Sequence, residues 1–381
     1  MLPLLALCAM AAFFGAMALT LLGLATPMAA AHLVFAIGIA PLIFGAMLHF
    51  VPVLTRSGAP AAAMRAAPLV VLVAGALMTS GFVWAELYAA ALHGAPILAL
   101  AAALVMAGWI RRRGGRTVGA PHPGLAWYLA AVLCFAAALA AIVAMPVLPG
   151  ERASVRLFHL HLNTVGFIAL TAVGTLQVLL PTAARKPDPS AAGRLRTDLR
   201  FAVAGAMLVA GGAAWAQVLS LAGVALLLVP LGRLAMAWGS RFRREIVSRD
   251  SPASALALAL AGLVAVVLLG GAHGLGWLGG REAITGFIVA FLLPLVTGAL
   301  SQLLPVWLRP GVQTTWHDQA RGTLAAASAV RGALFVVSGI GASLGWTDGL
   351  WLAIAGLAMF IPALVRVLLA ARNTGSPSAR Q

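Results

Sequence analysis

HLNTVGFIALTAVGTLQVLLP (161–181) lies without a gap over HLVFAIGIAPLIFGAMLHFVP (32–52) and TGFIVAFLLPLVTGALSQLLP (285–305). All three carry Gly thirteen residues after their first position (Gly45, Gly174, Gly298) and Pro twenty after it (Pro52, Pro181, Pro305). Pro41 and Pro294 also coincide. Each stretch is apolar and near the roughly 20 residues that a helix needs to cross a bilayer. Equivalent positions lie 129 and 124 residues apart. Self-similarity at a fixed period is the mark of repeated units, and each interval has room for four spans.

The rest of the chain agrees. Its 381 residues are 62% hydrophobic and 9% charged, against about 45–50% and about 25% in soluble domains. Apolar runs bounded by Gly, Pro and Arg fall at 3–25, 28–54, 67–91, 94–110, 124–147, 156–181, 199–218, 219–237, 253–274, 283–307, 322–345 and 348–370. The expected fold is therefore an all-α polytopic membrane protein. Its twelve transmembrane helices form three pseudosymmetric four-helix units, 1–123, 124–250 and 251–381.

The net charge of +16 would point to nucleic acid in a soluble protein. Here the cations follow spans 2, 4, 6, 8, 10 and 12, and only Arg152, Arg156 and Arg281 of the 25 fall at the other face. The positive-inside rule then places both termini in the cytoplasm and excludes a nucleic-acid partner. The lipid bilayer is the partner. A composition rich in Ala, Gly and Arg points to a bacterial inner membrane. The first run lacks a basic leader and is too long for a signal core, so it reads as span 1. Cys8 and Cys134 lie in apolar stretches without a CxxC spacing, which argues against disulfides, thiolate zinc and covalently attached haem.

Ionisable side chains in a membrane are costly and mark functional positions. With cytoplasmic termini, His32, His159 and His161 share the outer layer. His93 and His273 lie at similar depth, and His49, His122 and His317 fall on the cytoplasmic side, where they read as structural or loop residues. His159 and His161 are about 200° apart on a helix and face opposite ways. Such a pair serves two sites, one imidazole each. His161 and its repeat-equivalent His32 are expected to hold one haem. His159 is left for a second haem or a metal, since imidazole suits iron, copper and zinc alike. Glu86, seven residues before His93 and on the same helix face, is a candidate for proton delivery or metal ligation. A metal site could draw on His159, His93, His273 and Glu86.

The twelve spans, the key residues on spans 2, 6 and 10, and the segment HLHLNTVGF (159–167) ending in LLP (179–181) resemble the catalytic subunit of haem-copper oxidases, most closely the cbb3 type. That resemblance implies that His32 and His161 serve a low-spin haem and His159 a high-spin one. The family carries its H-x-H on the tenth helix, whereas here it is on the sixth. Thr285 stands where a third His could be, and span 7 has no His for copper. The chain is also similar to the NnrS family, with VLTRSGAP (53–60) in place of that family's turn after span 2. This likeness implies haem b, one or two, with copper a further possibility. It also implies nitric oxide or oxygen as gaseous ligand, an electron donor of unknown kind, and a role in the nitric oxide response or membrane electron transfer. A haem-dependent oxidoreductase, in the form of an oxygen or nitric oxide reductase subunit, is the first alternative. A haem-free transporter is the second, but it has no need of an H-x-H facing two ways.

Overall fold

The computed structural model describes residues 1–279 and 281–373. Among them there is no strand, and twelve helices are long and apolar enough to cross a bilayer. We number them α1 Leu2–Leu21, α2 Pro27–Leu54, α3 Ala62–Val83, α4 Ala85–Gly115, α5 Gly124–Val147, α6 Pro149–Ala183, α7 Ala191–Trp215, α8 Gln217–Arg241, α9 Pro252–Gly274, α10 Ala283–Leu308, α11 Thr315–Ser343 and α12 Thr347–Arg372. The protein is an all-α, multi-pass membrane protein. Its packing gathers into two compact units. One comprises Met1–Gln177, Pro189–Arg233 and Val267–Gly279; the other comprises Val178–Asp188, Leu234–Val266 and the described residues of Gly280–Gln381.

The repeat seen in sequence has a counterpart in backbone geometry. α2, α6 and α10 each widen into a π-helical segment, at Leu33–Ile39, Leu162–Ile168 and Phe287–Leu292. These begin one, one and two residues after His32, His161 and Thr285. At each exit an N–H reaches a carbonyl five residues back: Ala40 to Phe35, Ala169 to Thr164 and Leu293 to Ile288. Proline explains two of the three. Pro41 and Pro294 have no N–H to give and their rings exclude the carbonyl four residues earlier; widening the turn relieves that clash. α6 lacks this proline and uses polar side chains instead. Asn163 Nδ2 donates to the His159 carbonyl (2.7 Å), and Thr164 Oγ1 to those of Leu160 (2.9 Å) and His161 (3.2 Å). Such bulges inside helices frequently occur at functional sites.

Three helix boundaries differ from the sequence reading. Spans 3 and 4 part at Trp84, whose backbone is extended (φ −115°, ψ 111°), and not at His93-Gly94. Gly94 and Pro96 sit inside a continuous α4 because membrane helices tolerate both residues. Spans 7 and 8 part at Ala216. The third change is in α11, which is broken at Ala327 (φ 52°) into Thr315–Ala325 and Ser328–Ser343. The first piece buries only His317, Ala320, Leu324 and Ala325, one stripe at helical spacing. Its capping box uses His317 in the role Glu usually plays: Nδ1 accepts the Thr314 N–H at 3.0 Å. Fully buried Arg331 closes the break, donating to the carbonyls of Ala326 (2.8 Å) and Leu324 (3.2 Å) over the Phe360 ring.

His122 precedes α5 and caps it. Its Nδ1 accepts the Gly124 N–H at 3.1 Å, while its own N–H donates to the Leu54 carbonyl at 3.2 Å. An imidazole that accepts must be neutral at that nitrogen. Burial first, and then the nearby Arg196 charge, hold its pKa below the usual histidine value. The folded state thus binds the proton less readily than the unfolded chain, and stability rises with pH across the interval between the two pKa values. Acidification from pH 7 through the usual histidine range should therefore lower the melting temperature of the wild type in detergent. His122→Asn, which keeps an accepting cap and cannot titrate, should lose less over the same interval.

Candidate functional site

All five histidines expected in the outer layer lie in the first unit, and their rings are oriented by one rule. Nδ1 of His32 meets the Met28 carbonyl at 2.9 Å, His93 that of Ala89 at 2.7 Å, and His161 that of Leu157 at 2.8 Å. His159 meets the Ala138 carbonyl of α5 at 3.0 Å, and His273 that of Leu278 at 2.8 Å. A carbonyl can only accept, so these contacts place the proton on Nδ1 and leave Nε2 with its lone pair; at His159 the Asn163 amide nitrogen, a donor 3.2 Å from the same Nδ1, competes with that setting. Among the described residues no Nε2 of these five has a hydrogen-bond partner. His122 and His317 are set the other way, with Nδ1 accepting a backbone N–H and His317 Nε2 donating to the Arg309 carbonyl at 2.9 Å. A ring held through Nδ1–H to a carbonyl, with Nε2 free, is the arrangement that second-shell partners impose on metal-ligating histidines.

α6 is a regular α-helix over Arg152–His161, so His159 and His161 do face opposite sides. His159 is close enough for its charge to act on His32, and His273 close enough to act on His161. His32 and His159 are half-buried. His32 packs on Phe82, ring centroids 4.6 Å apart, and Phe82 on Tyr88 at 5.8 Å.

His93, Glu86 and His273 are exposed. Glu86 is in the first turn of α4, where a carboxylate complements the helix dipole, and not well inside a span. Among the described residues no three His, Cys, Asp or Glu side chains come together as a metal-binding group. His159, His93, His273 and Glu86 thus do not converge on one ion. Zinc and copper sites in proteins generally draw on three or more protein ligands, whereas a six-coordinate haem needs only two.

The buried carboxylate that the sequence reading passed over is Asp198. It is fully buried in α7, its Oδ1 is 2.8 Å from Arg233 Nη1, and its Oδ2 has no hydrogen-bond partner among the described residues. Span 7 was expected to begin at 199, one residue too late to include it. The available signal was Arg194 four residues earlier, a paired spacing on one helix face. Removing one partner of a buried ion pair costs about 3–5 kcal/mol, while replacing both is often neutral. Arg233→Leu should therefore destabilise the protein strongly, and Asp198→Leu/Arg233→Leu should recover most of the loss in thermal unfolding.

No protein-family model matches this chain, and a search of curated proteins finds no match either.

Proposed function

We propose that the protein is a membrane haem protein that holds a b-type haem between His32 and His159 and serves electron transfer or the handling of nitric oxide. The observation that carries this reading is the shared tautomer of the outer-layer histidines, five rings tied by Nδ1–H to carbonyls with Nε2 presented, against the reverse setting of His122 and His317. A transporter has no reason to sort its imidazoles this way. Bound there, haem iron would supply one-electron chemistry. The chain would supply two fixed nitrogens, a low-dielectric surround and the exclusion of water. Ligation by two imidazoles would favour electron transfer over the binding of a gas at this site. A gaseous ligand such as nitric oxide or oxygen would need a haem held by a single imidazole, for which His161 is the remaining candidate. The scarcity of cations on the histidine-bearing face supports a bacterial inner-membrane setting with both termini in the cytoplasm.

The test is the absorption spectrum of the purified protein, oxidised and reduced. Sharp α and β bands on reduction, with iron and extractable haem b in stoichiometric amount, are expected. A colourless protein that takes up no added haem would overturn the reading and favour the transporter.

A further inference from the structure

His159 is held differently from the other outer histidines. His32, His93 and His161 each bring Nδ1 to the carbonyl four residues back on their own helix. On that pattern His159 would meet the Val155 carbonyl. Its ring crosses instead to the Ala138 carbonyl of α5, 3.0 Å away, and a second group stands at the same nitrogen. Asn163 Nδ2 is 3.2 Å from Nδ1 and 2.7 Å from the carbonyl of His159 itself. An amide oxygen would repel a carbonyl at 2.7 Å, so the amide nitrogen is the atom turned this way, and it has two hydrogens to give.

Nδ1 can serve only one of these neighbours. Toward Ala138 it must carry a hydrogen, which leaves the lone pair on Nε2. Toward Asn163 it must accept, which moves the hydrogen to Nε2. Both forms are neutral and differ only in the nitrogen that is protonated. Only the first can bind a metal ion through Nε2, because a protonated nitrogen has no lone pair to offer. Neutral hydrogen bonds each contribute about 0.5–1.5 kcal/mol, so the two neighbours are rivals of similar strength. The other four outer rings have no such rival at Nδ1 among the described residues. Asn163 also belongs to the π segment Leu162–Ile168, so one residue supports the widened turn and reaches the ring of the turn before it.

We infer that Asn163 is a positioning residue that draws His159 toward the Nε2-protonated form, which makes this imidazole a conditional ligand where His32 is a fixed one. This rests on the haem reading above for what His159 would bind. When a ring offers Nε2 in only a fraction of molecules, the apparent affinity for its ligand falls by that fraction. Removing the rival should raise haem affinity by the reciprocal of the same fraction, about two- to fivefold for bonds of comparable strength.

Full-length protein with isotope-labelled nitrogen in its histidine rings is reconstituted without haem in lipid bilayers, at a pH above the usual histidine range. Solid-state NMR separates protonated from unprotonated ring nitrogens, and the His159 signals are assigned by their loss in His159→Gln. His32 is expected in the Nδ1-protonated form alone and His159 in both forms. Asn163→Ala should convert His159 to the Nδ1-protonated form and raise the affinity for added haem b by the factor that the wild-type populations fix. Thr164→Val removes the other side-chain support of the π segment and should leave both forms in place, which separates the amide at Nδ1 from a loosened turn. A wild-type His159 in a single form, two forms unchanged in Asn163→Ala, or an equal response to Thr164→Val would overturn the inference. So would a shift to the Nδ1-protonated form with no gain in haem affinity. A wild type that shows both forms, responds to Asn163→Ala and takes up no haem would leave Asn163 as the selector and overturn the haem reading alone.

Discussion

His32→Ala and His159→Ala proteins are each expected to lose the sharp reduced α and β bands completely, while His161→Ala keeps them. The prediction separates the proposed pairing from the one implied by repeat equivalence, under which His161→Ala would abolish the bands and His159→Ala would spare them. The physical ground is the regular helix over Arg152–His161, which allows only one of the two imidazoles to face His32. Loss of a second-shell partner alone typically costs about 10–100-fold in metal affinity, so loss of an axial ligand should leave the purified protein without its share of haem. His317→Ala serves as the control, because both ring nitrogens are already spent on the Thr314 N–H and the Arg309 carbonyl. It should lower stability through the lost cap and leave the spectrum untouched. If His273→Ala removes a second, distinct component and His93→Ala removes none, two sites act separately. Bands that survive in both His32→Ala and His159→Ala would place the iron elsewhere.

What the sequence made legible, and what it hid, follows from how membrane helices are built. The twelve spans could be read because the bilayer demands length and apolarity of each one. Pro41 and Pro294 marked two of the three π segments, although they looked like ordinary kinks. The third segment, in α6, is sustained by Asn163 and Thr164, residues that polar composition alone would not single out. Facing relations were hidden. No periodicity says which side of α6 looks toward α2. Asp198 was hidden because span 7 was expected to begin at 199, whereas α7 begins at Ala191. The break at Trp84 was hidden because His93-Gly94 carries the stronger local signal in a soluble context but carries none inside a membrane helix.

The π segments also set the second large expectation, which concerns two glycines. A Cβ on Gly75 of α3 would land inside contact distance of the Ala36 carbonyl oxygen, within the π segment of α2. In α10 the same situation recurs, with Gly262 of α9 against the Ala290 carbonyl. Both carbonyls lie just before a proline: Ala290 is four residues before Pro294, Ala36 five before Pro41, and Ala40 gives its own N–H to Phe35. Each carbonyl has lost a backbone N–H that a regular helix would return, and projects toward the neighbouring helix, which must be bare to receive it. Because the obstacle is backbone and not the end of a flexible side chain, the neighbour cannot yield cheaply. Overpacking of this kind costs typically about 1–3 kcal/mol, occasionally more, and Gly75→Val and Gly262→Val should sit at the upper end. Both should melt well below the wild type in detergent. Gly232→Ala, whose Cβ meets nothing within 4 Å, should be neutral or slightly stabilising, because alanine is the better helix former. Their spectra should differ. Gly75→Val disturbs the turn that immediately follows His32 and should weaken haem retention even below its melting temperature. Gly262→Val acts in the unit that holds none of the paired histidines and should lower stability with the bands unshifted. Equal haem retention in the two valine variants would show that the π segment of α2 has no part in aiming His32.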